Sequence, residues 1–269
     1  MRFPALLLVL PLLGQSSGDP AFPSASIKPN TNTVRRGILV RVEPGGRLIT
    51  VDSPLVLLIK NAYGVQDFQV IGGPSWINTD GFDVEAKPAA QTDQKRVWLM
   101  LRGLLTERFK LKVHRETREL PGYSIAAAKN GLKLPQPEDG VCATGGSKGL
   151  LPECGAVVVR PGPRLEGGKV RMSELTRALS RLLVRPVVDG TGFAGEFDVH
   201  VDFTPDESTI GLIGSGGPRD PGGFAARSTD PNRPSIFVAL QDQLGIKLNA
   251  TKTPVEVLVI DHVERPDAN

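Results

Sequence analysis

Residues 53–62 read Ser-Pro-Leu-Val-Leu-Leu-Ile-Lys-Asn-Ala, and residues 173–182 read Ser-Glu-Leu-Thr-Arg-Ala-Leu-Ser-Arg-Leu. The two stretches superpose at a constant offset. Leu55, Leu58, Ile59 and Ala62 in the first answer Leu175, Ala178, Leu179 and Leu182 in the second, which is the spacing of one apolar helix face. Further along, Phe82-Asp83-Val84 answers Phe197-Asp198-Val199, and Phe109-Lys110-Leu111 answers Ile246-Lys247-Leu248. Self-similarity at a long period predicts a duplicated α+β unit. The expected fold is therefore α+β, as two tandem units, each with two helices packed on an antiparallel-rich sheet.

The flanking residues supply the element boundaries. Ile38, Val40 and Val42 alternate as a strand, Pro44-Gly45-Gly46 turns the chain, and Leu48 to Val51 resumes it. Ser53 is placed to cap the first helix with Pro54 at its first position, and Gly64 to stop it. A second helix is expected over 94–108, followed by strands at 110–115 and 123–127. In the second unit, strands at 156–160, 169–172, 186–188 and 196–203, helices at 173–183 and 236–244, and a closing strand at 255–263 repeat the order. Ala25 to Pro29 reads as an edge strand blunted by its proline.

This gives a domain plan. Residues 1–18 carry Arg2, then an apolar run to Leu13, then small residues, the pattern of a secretory signal peptide too short to span a bilayer. Residues 19–35 are an N-terminal extension, 36–128 the first unit, 129–155 a linker, and 156–264 the second unit. Within the second unit a loop over 204–234 contains Gly-Ser-Gly-Gly and several prolines, and its composition favours disorder. No later segment reaches the ~20 apolar residues of a membrane span, so a periplasmic or secreted location is expected.

Composition narrows the function. Of 269 residues, 40% are hydrophobic and 23% charged, an ordinary globular balance, and the formal net charge is only +3. The basic residues are scattered and the chain has two tryptophans and two tyrosines, so nucleic-acid binding finds no support. Cys142 and Cys154 are the only cysteines, and an even count in an exported chain reads as a disulfide.

The candidate sites are few. Asp198, His200 and Asp202 recur at every second residue of one strand, so two carboxylates could flank an imidazole as metal ligands; the plainer reading is the wet face of a strand. An enzyme would draw on Asp189, Asp198 and His200. His114 and His262 stand beside charged neighbours as surface pairs. No HExxH, Gly-x-Ser-x-Gly or phosphate-loop pattern occurs, and no cofactor is expected. Trp76, beside Gly72-Gly73-Pro74, is either an exposed anchor for a partner or a lid on the first core. The expected activity is that of a non-enzymatic binding or sensor-type module for an unknown protein or small-molecule ligand in the cell envelope. The alternative is an extracytoplasmic hydrolase or metal-binding protein using Asp198, His200 and Asp202.

The segments SASIKPN, LLIKNAYGVQDFQVIGGPSWINTDGFDVEAK, LLTERFKLKVHRETRELPGYSIAAAKNG, RPVVDGTGFAGEFD and ALQDQLGIKLNATKTPVEVLVIDHVERP resemble, in this order, a soil-associated exported family of unknown function that is expanded in acidobacteria. The resemblance implies an extracytoplasmic module. Some members form the outer part of an antibiotic-sensor-type membrane metallopeptidase, which implies sensing or docking. The helix–strand order of each unit is also similar to the short N-terminal domains of secretins and TonB-dependent receptors, a likeness of fold alone.

Overall fold

The four apolar positions of each opening helix face inward. Leu55, Leu58, Ile59 and Ala62 are buried in helix α1 (Leu55–Tyr63), and Leu175, Ala178, Leu179 and Leu182 in helix α4 (Met172–Leu183). Both helices end in a left-handed residue nine positions after the matching leucine, Gly64 in one and Val184 in the other. The starts differ from expectation. Pro54 is the N-cap of α1, because the Ser53 hydroxyl donates instead to the Leu39 carbonyl at 2.8 Å across the neighbouring strand. Helix α4 begins at Met172, and Glu174 reaches back to accept the Arg171 N–H at 3.1 Å.

The computed structural model describes residues 20–31, 37–143, 151–160, 162–209 and 233–267. The expected signal peptide and most of the 204–234 loop lie outside them. Among the described residues the chain is a mixed α+β fold with five α-helices and three sheets. Besides α1 and α4, the elements are β1 (Ser24–Pro29), β2 (Leu39–Val42), β3 (Leu48–Pro54), β4 (Val70–Gly72), α2 (Trp76–Thr79), β5 (Gly81–Lys87), α3 (Gln94–Arg108), β6 (Lys112–Ala127), β7 (Val158–Arg160), β8 (Arg164–Val170), β9 (Val187–Asp189), β10 (Phe197–Asp202), α5 (Ile236–Leu244) and β11 (Ile246–His262). One antiparallel sheet runs β1-β5-β3-β2 and another β10-β8-β7. A third, mixed sheet runs β4-β11-β6-β9.

The mixed sheet is where the sequence misleads. Separate strands are expected over 110–115 and 123–127, but β6 is one strand of 16 residues and β11 one of 17. They pair antiparallel along nearly their whole length, Ala127 opposite Ile246 and Lys112 opposite His262. Pro121 is tolerated because its nitrogen points away from β11, the direction in which Tyr123, two residues on, donates to the Pro186 carbonyl.

These long strands carry each half of the chain into the other's core. One core gathers α1, α3, Phe82, Val84 and Phe109, and is closed by Leu258 and Ile260 from the far end of β11. The other gathers α4, α5, Phe197, Val199 and Phe203, and is closed by Ile125 from the far end of β6. The short strands follow suit: β4 lies parallel to β11 with Val70 opposite Leu258, and β9 parallel to β6 with Val187 opposite Tyr123. Contacts therefore cross the boundary expected between residues 128 and 156 twice, and the two lobes are joined through an exchanged sheet. Among the described residues, no helix is long and apolar enough to cross a membrane.

Trp76 sits half-buried at the edge of the first core. Its ring meets Phe82 edge-on at 6.3 Å, and the Arg265 guanidinium covers it at 4.9 Å while bonding Asp80. Loss of the ring should cost about 2 kcal/mol in a denaturant melt of Trp76→Ala, less than a fully enclosed tryptophan. A change smaller than about 0.5 kcal/mol would show that the ring does not act as a lid.

Candidate functional site

Asp198 is set by an irregularity in β8. The β8–β10 register shifts between Phe197 and Val199, and Lys169 adopts a positive φ of 52°. That twist turns the Lys169 N–H out of the ladder, and Asp198 Oδ1 accepts it at 2.9 Å; Oδ2 accepts the Glu138 N–H at 2.7 Å. The first lobe holds the same device. The β3–β5 register shifts between Thr50 and Ser53, Asp52 has φ 47°, and Asp83 Oδ1 accepts the Asp52 N–H at 2.8 Å and an Asn30 side-chain N–H at 2.9 Å. Each aspartate of the Phe-Asp-Val pair thus satisfies a main-chain donor stranded by a bulge.

Asp198 is almost fully buried, whereas His200 stands exposed, its Nε2 3.5 Å from Asp202 Oδ2. Asp202 is engaged from elsewhere: Arg164 Nε donates to its Oδ1 at 2.8 Å, and Arg233 lies 3.5 Å away. Burial acts to raise the Asp202 carboxyl, but the Arg164 hydrogen bond and the charges of Arg164, Arg233 and His200 outweigh it and hold it below the usual carboxylate range. Its folded pKa lies below its unfolded one, so its contribution is present above about pH 4 and is lost as pH falls through the folded value. The stability gap between the parent chain and Arg164→Ala, under about 1 kcal/mol at neutral pH, should accordingly close in acid. Urea melts at about pH 6 and pH 2.5 measure it, and a gap that widens in acid would contradict the pairing.

The three strand residues expected as a metal site therefore have separate duties. Among the described residues, no three His, Cys, Asp or Glu side chains gather as metal ligands. Asp189 does not join Asp198 and His200; its Oδ1 accepts both the N–H and the hydroxyl of Thr191, at 2.8 and 2.7 Å, in the turn after β9. His114 pairs with Asp261 at 2.9 Å and His262 with Glu264 at 2.7 Å, both on the exposed surface.

What the residues near Asp198 do enclose is a cavity of about 370 Å³, bounded by Pro135, Glu138 and Leu151 on one side and Glu166, Val199 and His200 on the other. Its outer wall is made by Pro135, Gln136, Glu138 and Val141, which precede the cysteine pair, and by Leu151 and Pro152 just before Cys154. Cys142 and Cys154 lie in disulfide geometry with Cα atoms 4.9 Å apart. The pair sits close on β8: a Cβ at Gly168 would come within 2.9 Å of the Cys142 Cβ and 3.0 Å of its Sγ, so glycine is needed for that approach. Glu166 is neutralised by Arg160 at 3.2 Å and Arg164 at 3.5 Å. Leu151 is 44% exposed at the mouth. Sequence reasoning missed this cavity; the one available signal was Gly167-Gly168 inside a strand, a mark of close backbone approach.

No curated protein and no solved structure matches the chain. Residues 56–263, which take in the second core, most of the first, the exchanged strands and the cavity, match the family described as a protein of unknown function, DUF3738, and the chain belongs to that family.

Proposed function

We propose that this protein is an exported, non-catalytic binding module whose ligand site is the cavity between Pro135, Glu138, Val141 and Leu151 on one side and β8–β10 on the other. One observation carries the reading. The carboxylates on the sheet side of the cavity are committed to the fold, Asp198 to two main-chain N–H groups and Glu166 to two arginines, while Pro135, Val141 and Leu151 line it with apolar surface. Such a wall suits an apolar group held by a few polar contacts rather than a reacting centre. A disulfide-compatible pair favours an oxidising compartment outside the cytoplasm, in keeping with the leader expected over residues 1–18.

The halves read as two copies of one unit. In support, the order strand, strand, helix, strand, strand, helix, strand runs from β7 to β11 and, with the short helix α2 inserted between β4 and β5, from β2 to β6, and Asp83 and Asp198 have the same role. The left-handed Lys110 after α3 and Gly245 after α5 extend the match, pairing Leu111 with Ile246, two residues away from the pairing that sequence suggests. Only the second copy has acquired the cysteine-closed segment and with it the cavity.

Ligand-observed NMR with a library of small apolar fragments tests the site. Binding should weaken at least about tenfold in Leu151→Glu, which places a charge at the mouth without touching either core. A set of fragments that binds both proteins equally would remove the cavity from the account. Turnover of an ester or peptide substrate that disappears in His200→Ala, with the melting temperature unchanged, would establish an enzyme instead.

A further inference from the structure

Helix α4 turns arginines to solvent. Its buried face, with Leu175, Leu179 and Leu182, belongs to the second core, while Arg177 and Arg181 are exposed. Residues four apart on a helix stand one above the other, about 6 Å apart along the axis. Arg185, also exposed, follows directly on the left-handed Val184 that ends the helix.

Most surface arginines are answered by carboxylates: Arg115 by Glu256, Arg118 by Glu116, Arg171 by Glu196 and Arg265 by Asp80. Among the described residues, Arg177, Arg181 and Arg185 have no ion pair and no side-chain hydrogen bond. The acid nearest along the helix, Glu174, is turned to the Arg171 N–H at the helix start. Like charges four apart on a helix repel. Protein crowded round the Arg181 guanidinium, and secondarily the charge of Arg177, push its pKa below the ordinary arginine value, although the residue stays exposed. The helix dipole explains only part of the row, since its negative end reaches the last turn, which holds Arg181, and not Arg177 at mid-helix. At the matching positions of α1 stand Leu57 and Asn61, both partly buried, and Asn61 donates to the Leu57 carbonyl at 2.8 Å. The unanswered cations belong to the second lobe alone.

We infer that the Arg177–Arg181 face of α4 is a binding site for a phosphoryl group, with Arg185 as a third cation beside it. A guanidinium offers its donors as a planar fork, and two forks one helix turn apart can converge on one tetrahedral anion. A phosphate monoester carries close to two negative charges near neutral pH and three terminal oxygens, which answers two cations. A single carboxylate, with one charge and two oxygens, is answered by one fork. The ligand class is a phosphorylated molecule, whether a soluble ester or a lipid headgroup. None of the three arginines lines the cavity, so this site is separate from the one proposed above and does not depend on it.

Inorganic phosphate, titrated into the full chain at an ionic strength held constant with chloride, is the probe. In nitrogen-15 NMR the Nε–H signals of Arg177 and Arg181 should shift saturably, while that of Arg265, held by Asp80, stays in place. Binding should weaken at least about tenfold in Arg181→Gln, and less in Arg181→Lys, which keeps the charge and loses the fork. Arg181→Gln should melt in chloride no lower than the parent, since it removes a like-charge contact. Phosphate should raise the melting temperature of the parent and not of that variant. Retention on phosphatidylcholine vesicles carrying phosphatidic acid, and not on phosphatidylcholine alone, assigns the group to a lipid; phosphate binding without retention assigns it to a soluble ester; either result supports the site. Shifts that never saturate, or a response that Arg181→Gln shares with the parent, overturn it. Tighter binding of a capped triglutamate peptide than of phosphate also overturns it, by making the face a dock for an acidic protein segment. Leu151→Glu should leave phosphate binding unchanged, which keeps this result apart from the test of the cavity.

Discussion

Asp198→Ala is expected to destabilise the protein by about 3 to 5 kcal/mol, one of the largest single losses available outside the apolar cores. The carboxylate accepts the Lys169 and Glu138 N–H groups, and hydrogen bonds to a charged acceptor contribute roughly 1.5 to 3 kcal/mol each. Alanine leaves both donors without their charged acceptor. Asp198→Asn, which retains one acceptor oxygen, should lose about half as much, and Asp83→Ala should behave comparably in the first lobe through Asp52 and Asn30. Urea melts of the three variants measure this. A midpoint for Asp198→Ala equal to that of the parent would show that the buried carboxylate is held for a ligand or a reaction instead.

Leu258→Ala should cost about 3 kcal/mol and lower the melting temperature by about 6 to 12 °C. Leu258 is 1% exposed and lies far toward the C-terminus, yet it packs with α1 and α3 in the first core and stands opposite Val70 of β4. Removing three side-chain carbons there opens a cavity in the lobe made mostly of residues 37–116, although the substitution is in the strand that begins in the other lobe. Calorimetry is the direct readout. A drop below about 1 kcal/mol would mean that the far end of β11 is not part of that core.

Helix periodicity was legible because it is local. The Leu55 and Leu175 registers, the stops at Gly64 and Gly245, the alternating burial of Phe197, Val199 and Val201, and the edge position of β1 all follow from neighbours within a few residues. The strand exchange was not legible, since Leu120-Pro121-Gly122 and Pro254 look like breakers until it is known that the partner strand lies more than a hundred residues away. The role of Asp198 was hidden for a related reason. Nothing in Phe-Asp-Val shows that Lys169 will take a positive φ or that Glu138 will lie over the strand. Ser53 had the composition of a cap, but a β2 carbonyl competes for its hydroxyl and wins. The cavity lies beside the close approach of Cys142 to Gly168, a tertiary contact with only a glycine pair to announce it.

The central structural claim is that the two cores stand or fall together because β6 and β11 run through both. Both tryptophans, Trp76 and Trp98, pack against the first core, so their fluorescence reports on that lobe alone, whereas far-ultraviolet circular dichroism reports on the whole chain. Leu179→Ala removes a fully buried side chain from the second core, at a cost of about 3 kcal/mol. In a urea melt of Leu179→Ala, the tryptophan midpoint should fall and coincide with the dichroism midpoint, as one cooperative transition requires. A tryptophan midpoint that stays at its parental value while the dichroism curve splits into two would contradict the exchange and leave two independent lobes.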